Sequence, residues 1–141
     1  MWAHYTEGHR GFCLGYDTRY PPFNDSQKIY RIKYSASIPI VNPVQILSSE
    51  GLDSFGPLMA MITTKSSHWA YEKEWRIFHL DGDLSFSLLP NTITAVYLGC
   101  LMIQEHKDHI ATIIKDSSIK IFEMHKEENK YELHTGREWK N

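Results

Sequence analysis

Trp69-Ala70-Tyr71-Glu72-Lys73-Glu74-Trp75-Arg76 runs without a break into Ile77-Phe78-His79-Leu80. Two carboxylates and a guanidinium recur at every second position, as Glu72, Glu74 and Arg76, with Trp69, Tyr71 and Trp75 interleaved. In an extended chain successive side chains point to opposite faces, so this period puts all three charges on one face. The pattern predicts a strand over 74–80, with its charged row forming the wall of a site. A solvated strand edge, with Arg76 pairing Glu72 or Glu74, is the plainer reading of the same residues.

Outward from this stretch, helical spacing comes first. Leu52, Phe55, Met59 and Ile62 are three, four and three residues apart, which predicts a helix with Pro57 in its first turn. Lys65-Ser66-Ser67-His68 reads as a polar loop. Beyond the signature, Asp81-Gly82-Asp83 is a turn, and Leu84, Phe86 and Leu88 alternate as a hairpin partner. Nearer the start, Gly11 to Tyr16 and Ile29 to Tyr34 read as strands. In the second of these, Tyr30, Ile32 and Tyr34 share one face and Arg31 and Lys33 the other. Ile93 to Leu98 is a strand ending at Gly99. Ile103, His106, Ile110, Ile113 and Ile114 predict an amphipathic helix over about 103–116, and Ile119 to Met124 a further strand. The remainder is polar, with a last short strand at 131–133.

This order predicts an α+β fold, with a mostly antiparallel sheet and two or three helices. Residues 1–125 read as one domain and 126–141 as a polar tail. A doubly wound parallel sheet would need regular alternation, and the sequence has no GxGxxG.

The chain has 141 residues, enough for one domain with a core, and a net charge of -2 that offers no bulk attraction to nucleic acid or an anionic membrane. Aromatic residues make up 13%, enough for a stacking wall as well as a core. Cys13 and Cys100 form no CxxC pair, so buried free thiols in a cytoplasmic setting are expected. No run approaches the roughly 20 apolar residues of a membrane-spanning helix.

Glu72 and Glu74 are the first catalytic candidates. Neighbouring carboxylates push their pKa values apart and can divide acid and base work. Arg76 is the cation that would keep one of them ionised. His4, Tyr5 and His9 are the second group, as hydrogen-bonding partners of a substrate. His4 and His9 are five apart, which is wrong for two ligands on one helix face, so no metal is expected. Packing of a helix end by Trp2 and Tyr5 explains the same residues without a site. Trp69 and Tyr71 would supply aromatic walls. His106, on the apolar stripe of its helix, reads as a core-edge residue.

Two ordered motifs then point to a family. Met1-Trp2-Ala3-His4-Tyr5 continuing through Gly11-Phe12-Cys13-Leu14-Gly15-Tyr16-Asp17, and Lys65-Ser66-Ser67-His68-Trp69-Ala70-Tyr71-Glu72-Lys73-Glu74-Trp75-Arg76, resemble the bacterial family catalogued as domain of unknown function 2971. Ala95-Val96-Tyr97-Leu98-Gly99 also fits its pattern, and the resemblance spans about residues 1 to 125. Family members carry a further segment before the first motif, so the resemblance implies that this chain is the later part of a longer domain, or a short form of it.

The resemblance also implies an ADP-ribosyltransferase-like layout with NAD as the substrate. Glu74 would then be the carboxylate that holds the ribose hydroxyl, and Glu72 would orient the acceptor. In that fold an earlier strand contributes to NAD binding; its absence implies weak binding by this chain alone. The setting implied is phage defence or a toxin-like role. The competing expectation is a non-catalytic module that docks on a protein partner, or forms a homodimer, through an open sheet edge.

Overall fold

Ile93–Leu98 is a mostly apolar run and becomes one of the two inner strands of the larger sheet. The computed structural model describes residues 2–25, 29–44, 55–78, 85, 87–130 and 132–139. The chain forms two compact units, Met1–Asn24 with Ser85–Asn141, and Asp25–Leu84.

In the first unit a short helix α1 (Trp2–Tyr5) leads to β1 (Phe12–Tyr16). The second unit holds β2 (Ile29–Arg31), β3 (Lys33–Ser35), helix α2 (Phe55–Thr63), β4 (Thr64–Ser66), a 3-10 helix at Ser67–Glu72, and β5 (Trp75–Ile77). The chain then returns to the first unit with β6 (Ile93–Leu98), α3 (Gln104–Ile114), β7 (Lys120–Lys126) and β8 (Leu133–Glu138).

The four-stranded sheet has the order β1-β6-β7-β8. β1 runs antiparallel to β6, with Phe12 opposite Leu98 and Leu14 opposite Val96. β6 and β7 are parallel, with Val96 opposite Ile121. A parallel neighbour needs a crossover, and α3 supplies it. β8 closes the sheet antiparallel to β7. Three of the five described strand pairings are antiparallel, so the fold is α+β, as the alternation predicts. β8 is longer than the short strand expected at 131–133. Its polar residues suit an edge strand, whose outer face meets water.

The core of this unit gathers Val96, Leu98, Met102, Ala111 and Ile121, with Ile110, Ile114, Ile119 and Trp139 packed against them. Here α3 departs from its expected face. Ile103, His106 and Ile113 are exposed, while Lys107, Ile110, Ala111 and Ile114 turn inward. Lys107, buried under the helix, pairs with Glu123 on β7. That pair rotates the buried stripe away from the isoleucines that the spacing favours. Tyr97 and Phe122 occupy the opposite face, stacked with centroids 5.5 Å apart, and Gly15 leaves room for Tyr97, whose ring a Cβ there would meet at 3.2 Å.

The described residues Ser85, Ser87 and Leu88 are not in a strand, so the expected 84–88 hairpin partner does not form there. β5 pairs instead with β2, Tyr30 lying opposite Arg76. The turn at 81–83 and the strand's end at His79 and Leu80 lie outside the described residues, as does Leu52.

Gly99 ends β6 under the loop that follows α1. Its N–H donates to the Gly11 carbonyl at 2.9 Å, and Leu101 N–H donates to the His9 carbonyl at 3.0 Å. A Cβ at Gly99 would collide with the His9 carbonyl oxygen and lie 2.7 Å from that of Gly11. Gly99→Ala is therefore expected to lower stability by about 2–3 kcal/mol, because backbone cannot move aside as a side chain can. Gly56→Ala, where an added Cβ meets nothing within 4 Å in α2, is expected to stabilise by about 0.5 kcal/mol. Urea unfolding of the two variants beside the parent checks both signs.

Candidate functional site

The strand over residues 29–35 changes partner halfway along. Ile29–Arg31 pairs with β5, and Lys33–Ser35 runs parallel to β4. Ile32 sits at the change, 3% exposed, and is the only buried apolar residue of the second unit among the described residues. Its N–H donates to the Glu74 carbonyl at 3.0 Å. Tyr34 Oη accepts the Glu74 N–H at 2.8 Å. The peptide groups around Glu74 are thus held on both sides by the 29–35 strand.

The signature stretch is not one extended strand. Ser67–Glu72 winds as a 3-10 helix, and Lys73 adopts a left-handed conformation, φ 49° and ψ 42°, with its N–H on the Ala70 carbonyl. Only Trp75–Ile77 is strand. The predicted row of charges is therefore assembled by a different device, a lysine at its centre.

Lys65, on β4 rather than in a loop, donates through Nζ to Glu72 Oε2 and, at 3.0 Å, to Glu74 Oε2. Arg76 Nε donates to Glu74 Oε1 at 2.5 Å, and Arg76 Nη1 to the Ile62 carbonyl at 2.5 Å. The side chain of Glu72 is 3% exposed, Lys65 20% and Glu74 25%. Trp69 lies against the network, its ring centroid 5.1 Å from Lys65 Nζ, and Tyr71 packs on Trp69 at 6.0 Å while staying exposed to solvent. Two cations against two carboxylates leave the cluster neutral. The hydrogen bond from Arg76, with further help from Lys65, holds the Glu74 carboxyl below its ordinary value against the opposing pull of burial.

The structure thus gathers Glu72, Glu74, Arg76 and Trp69 in the second unit. His4, Tyr5 and His9 belong to the first. His4 and Tyr5 lie exposed on α1, whereas His9 is half-buried, with φ 71°. His9 borders a cleft of about 310 Å³ together with Lys126, Glu127 and Lys130. Among the described residues no three His, Cys, Asp or Glu side chains meet as a metal ligand set. No helix among them is long and apolar enough to cross a membrane.

Sequence reasoning missed Lys65. It lies seven residues before Glu72 and nine before Glu74, odd separations that put it on the opposite face from both in an extended chain. Its neighbours Ser66, Ser67 and His68 suggest a loop. The available signal was charge balance, since two carboxylates beside one arginine leave one charge unmatched. Lys65 also borders a cleft of about 390 Å³ with Ser35, Thr64, Ser66 and Met61.

The fold and this cluster define an α+β protein whose second unit is organised around a buried ion network. A family model described as protein of unknown function (DUF2971) matches residues 1–77, more than half the chain, and the chain belongs to that family. Comparisons with curated proteins and with solved structures gave no match.

Removing Lys65 strands a buried charge. Lys65→Met is expected to cost about 3 kcal/mol, in the range for breaking a buried pair from one side, and adding Glu72→Gln should recover part of it. Thermal unfolding of the single and double variants checks this. Acid should act through Glu74. Its folded pKa lies below the ordinary 4.5, so below that value the unfolded chain takes up a proton that the folded chain refuses. The stability it contributes is complete above 4.5 and drains away as pH falls through the folded pKa. Tryptophan fluorescence during acid unfolding should show a shallower pH slope for Glu74→Gln than for the parent.

Proposed function

We propose that the chain is an NAD-using, ADP-ribosyltransferase-like protein in which Glu74 is the working carboxylate. The observation that carries this reading is the contrast between the two glutamates. Glu72 is almost wholly buried against Lys65, whereas Glu74 keeps a quarter of its side chain in solvent and is held ionised by Arg76 and Lys65. A fixed anion with some access to solvent suits a developing oxocarbenium ion. The C1′–N bond of the nicotinamide ribose breaks and nicotinamide leaves with the electron pair. The acceptor's oxygen or nitrogen, or that of water, bonds to C1′ and gives up its proton. Glu74 accepts a hydrogen bond from the ribose hydroxyl and faces the cation throughout.

Glu72 then serves as a positioning residue, fixing Lys65, rather than as the group that orients the acceptor. Arg76 sets the charge state of Glu74, and Trp69 shields the cluster from water. Phage defence or a toxin-like role is the proposed setting, in the cytoplasm, where the free thiols Cys13 and Cys100 would stay reduced.

Calorimetric titration with millimolar NAD, followed by chromatography of released nicotinamide, tests this. Heat of binding and slow nicotinamide release are expected. Glu74→Gln should lower release by at least about a hundredfold, in line with loss of one key electrostatic group, while NAD affinity changes little. Absence of nicotinamide release, with or without heat of binding, overturns the reading.

One observation favours the second reading, an interaction module. β1 is an edge strand among the described residues, and its Phe12, Leu14 and Tyr16 are 49%, 37% and 40% exposed. An apolar open edge invites strand pairing. In that case light scattering should show a dimer that Leu14→Lys converts to a monomer.

A further inference from the structure

The second unit holds a cleft of about 490 Å³ lined by Arg31, Ile32, Lys33, Tyr34, Ala70 and Lys73. Three of the six are cations and none is a carboxylate. Among the described residues no hydrogen bond or ion pair engages the side chains of Arg31, Lys33 or Lys73. The nearest acidic groups in sequence, Glu72 and Glu74, are already held by Lys65 and Arg76. Three positive charges therefore remain uncompensated around a concavity, in a chain whose net charge is -2. Low-dielectric walls concentrate such a field on the space between them.

The arrangement follows from the backbone. Arg31 and Lys33 are two residues apart on the strand that changes partner at Ile32, and both are exposed. The left-handed turn at Lys73 brings a third cation to the cleft, and Ala70, with a side chain of one carbon, leaves room in the opposite wall. Arg31 lies directly opposite Trp75 across the β2–β5 pair. Directly opposed residues of an antiparallel pair share a face. Trp75 is 61% exposed and has no ring partner among the described residues. A solvent-exposed indole thus stands beside Arg31, one of the three uncompensated cations of the cleft.

We propose that this cleft binds a nucleoside diphosphate, with the two phosphates between Arg31, Lys33 and Lys73 and the base stacked on Trp75. A guanidinium matches phosphate oxygens two at a time, and lysines add charge at less fixed angles. Tyr34 links the cleft to Glu74, since its ring lines the cavity and its hydroxyl accepts the Glu74 N–H. NAD contains an ADP half, so the site deepens the transfer reading. It is tested by ADP alone, which carries no nicotinamide and cannot be turned over.

ADP, inorganic pyrophosphate and adenosine are titrated in turn into the full chain by calorimetry and by tryptophan quenching. ADP is expected to bind with a dissociation constant on the order of 0.1 mM, more weakly as salt rises. Pyrophosphate should compete, and adenosine should bind at least about tenfold more weakly. Lys33→Glu and Arg31→Gln alter exposed side chains, so circular dichroism should be unchanged while ADP affinity falls at least about tenfold. Trp75→Ala should weaken ADP, leave pyrophosphate unaffected and abolish most of the quench. No ADP binding at millimolar concentration overturns the site. Equal affinity of pyrophosphate and ADP, or a single-stranded oligonucleotide outcompeting ADP, overturns the nucleoside diphosphate assignment. ADP binding without NAD turnover would remove the transfer reading alone. NAD turnover without ADP binding would remove this site alone.

Discussion

The ammonium of Lys65 is the interaction on which the second unit depends. It meets Glu72 and Glu74 at once, and through Glu74 it reaches Arg76 and the end of α2. Four charges that would repel or hydrate separately become one neutral cluster. Because Ile32 is the only buried apolar residue described in that unit, hydrophobic burial among the described residues gives it little rigidity. Directional, charge-assisted hydrogen bonds supply much of it instead.

The first unit is built the other way. Its sheet and α3 enclose aliphatic side chains, and Lys107, the one buried cation among the described residues, is matched by Glu123. Such a core tolerates modest exchanges of similar volume. An ion cluster does not, since removing one member leaves an opposite charge beside it without its ion-pair partner. The two units therefore carry different sensitivities to substitution and to pH, and the family match reaches from the start of the chain through the ion cluster.

Legibility in the sequence followed the length of the repeating pattern. Ile93 to Leu98 is a mostly apolar run stopped at Gly99, long enough to mark a strand, and α3 is marked by isoleucine spacing even though Lys107 and Ala111 are buried and Ile103 and Ile113 are exposed. The signature stretch was readable as a cluster of paired charges but not as a shape. Its alternating charges suggest extension, yet Ser67–Glu72 winds as a 3-10 helix and Glu72 pairs with Lys65 of β4. Such a pull operates through space and leaves no local period. The choice of β2 as the partner of β5 was equally hidden, since pairing depends on the whole sheet rather than on a turn signal.

Glu74 shows what this architecture means for a carboxylate proposed to face a reacting centre. Its amide hydrogen goes to Tyr34 and its carbonyl to Ile32, so one strand grips the backbone before and after the side chain. Arg76 and Lys65 then grip the carboxylate itself. The oxygens are left with neither translation nor free rotation, and their position is known before any ligand arrives. Little reorganisation would be needed as charge grows opposite them, which makes Glu74 a fixed electrode, its potential set by the four residues around it.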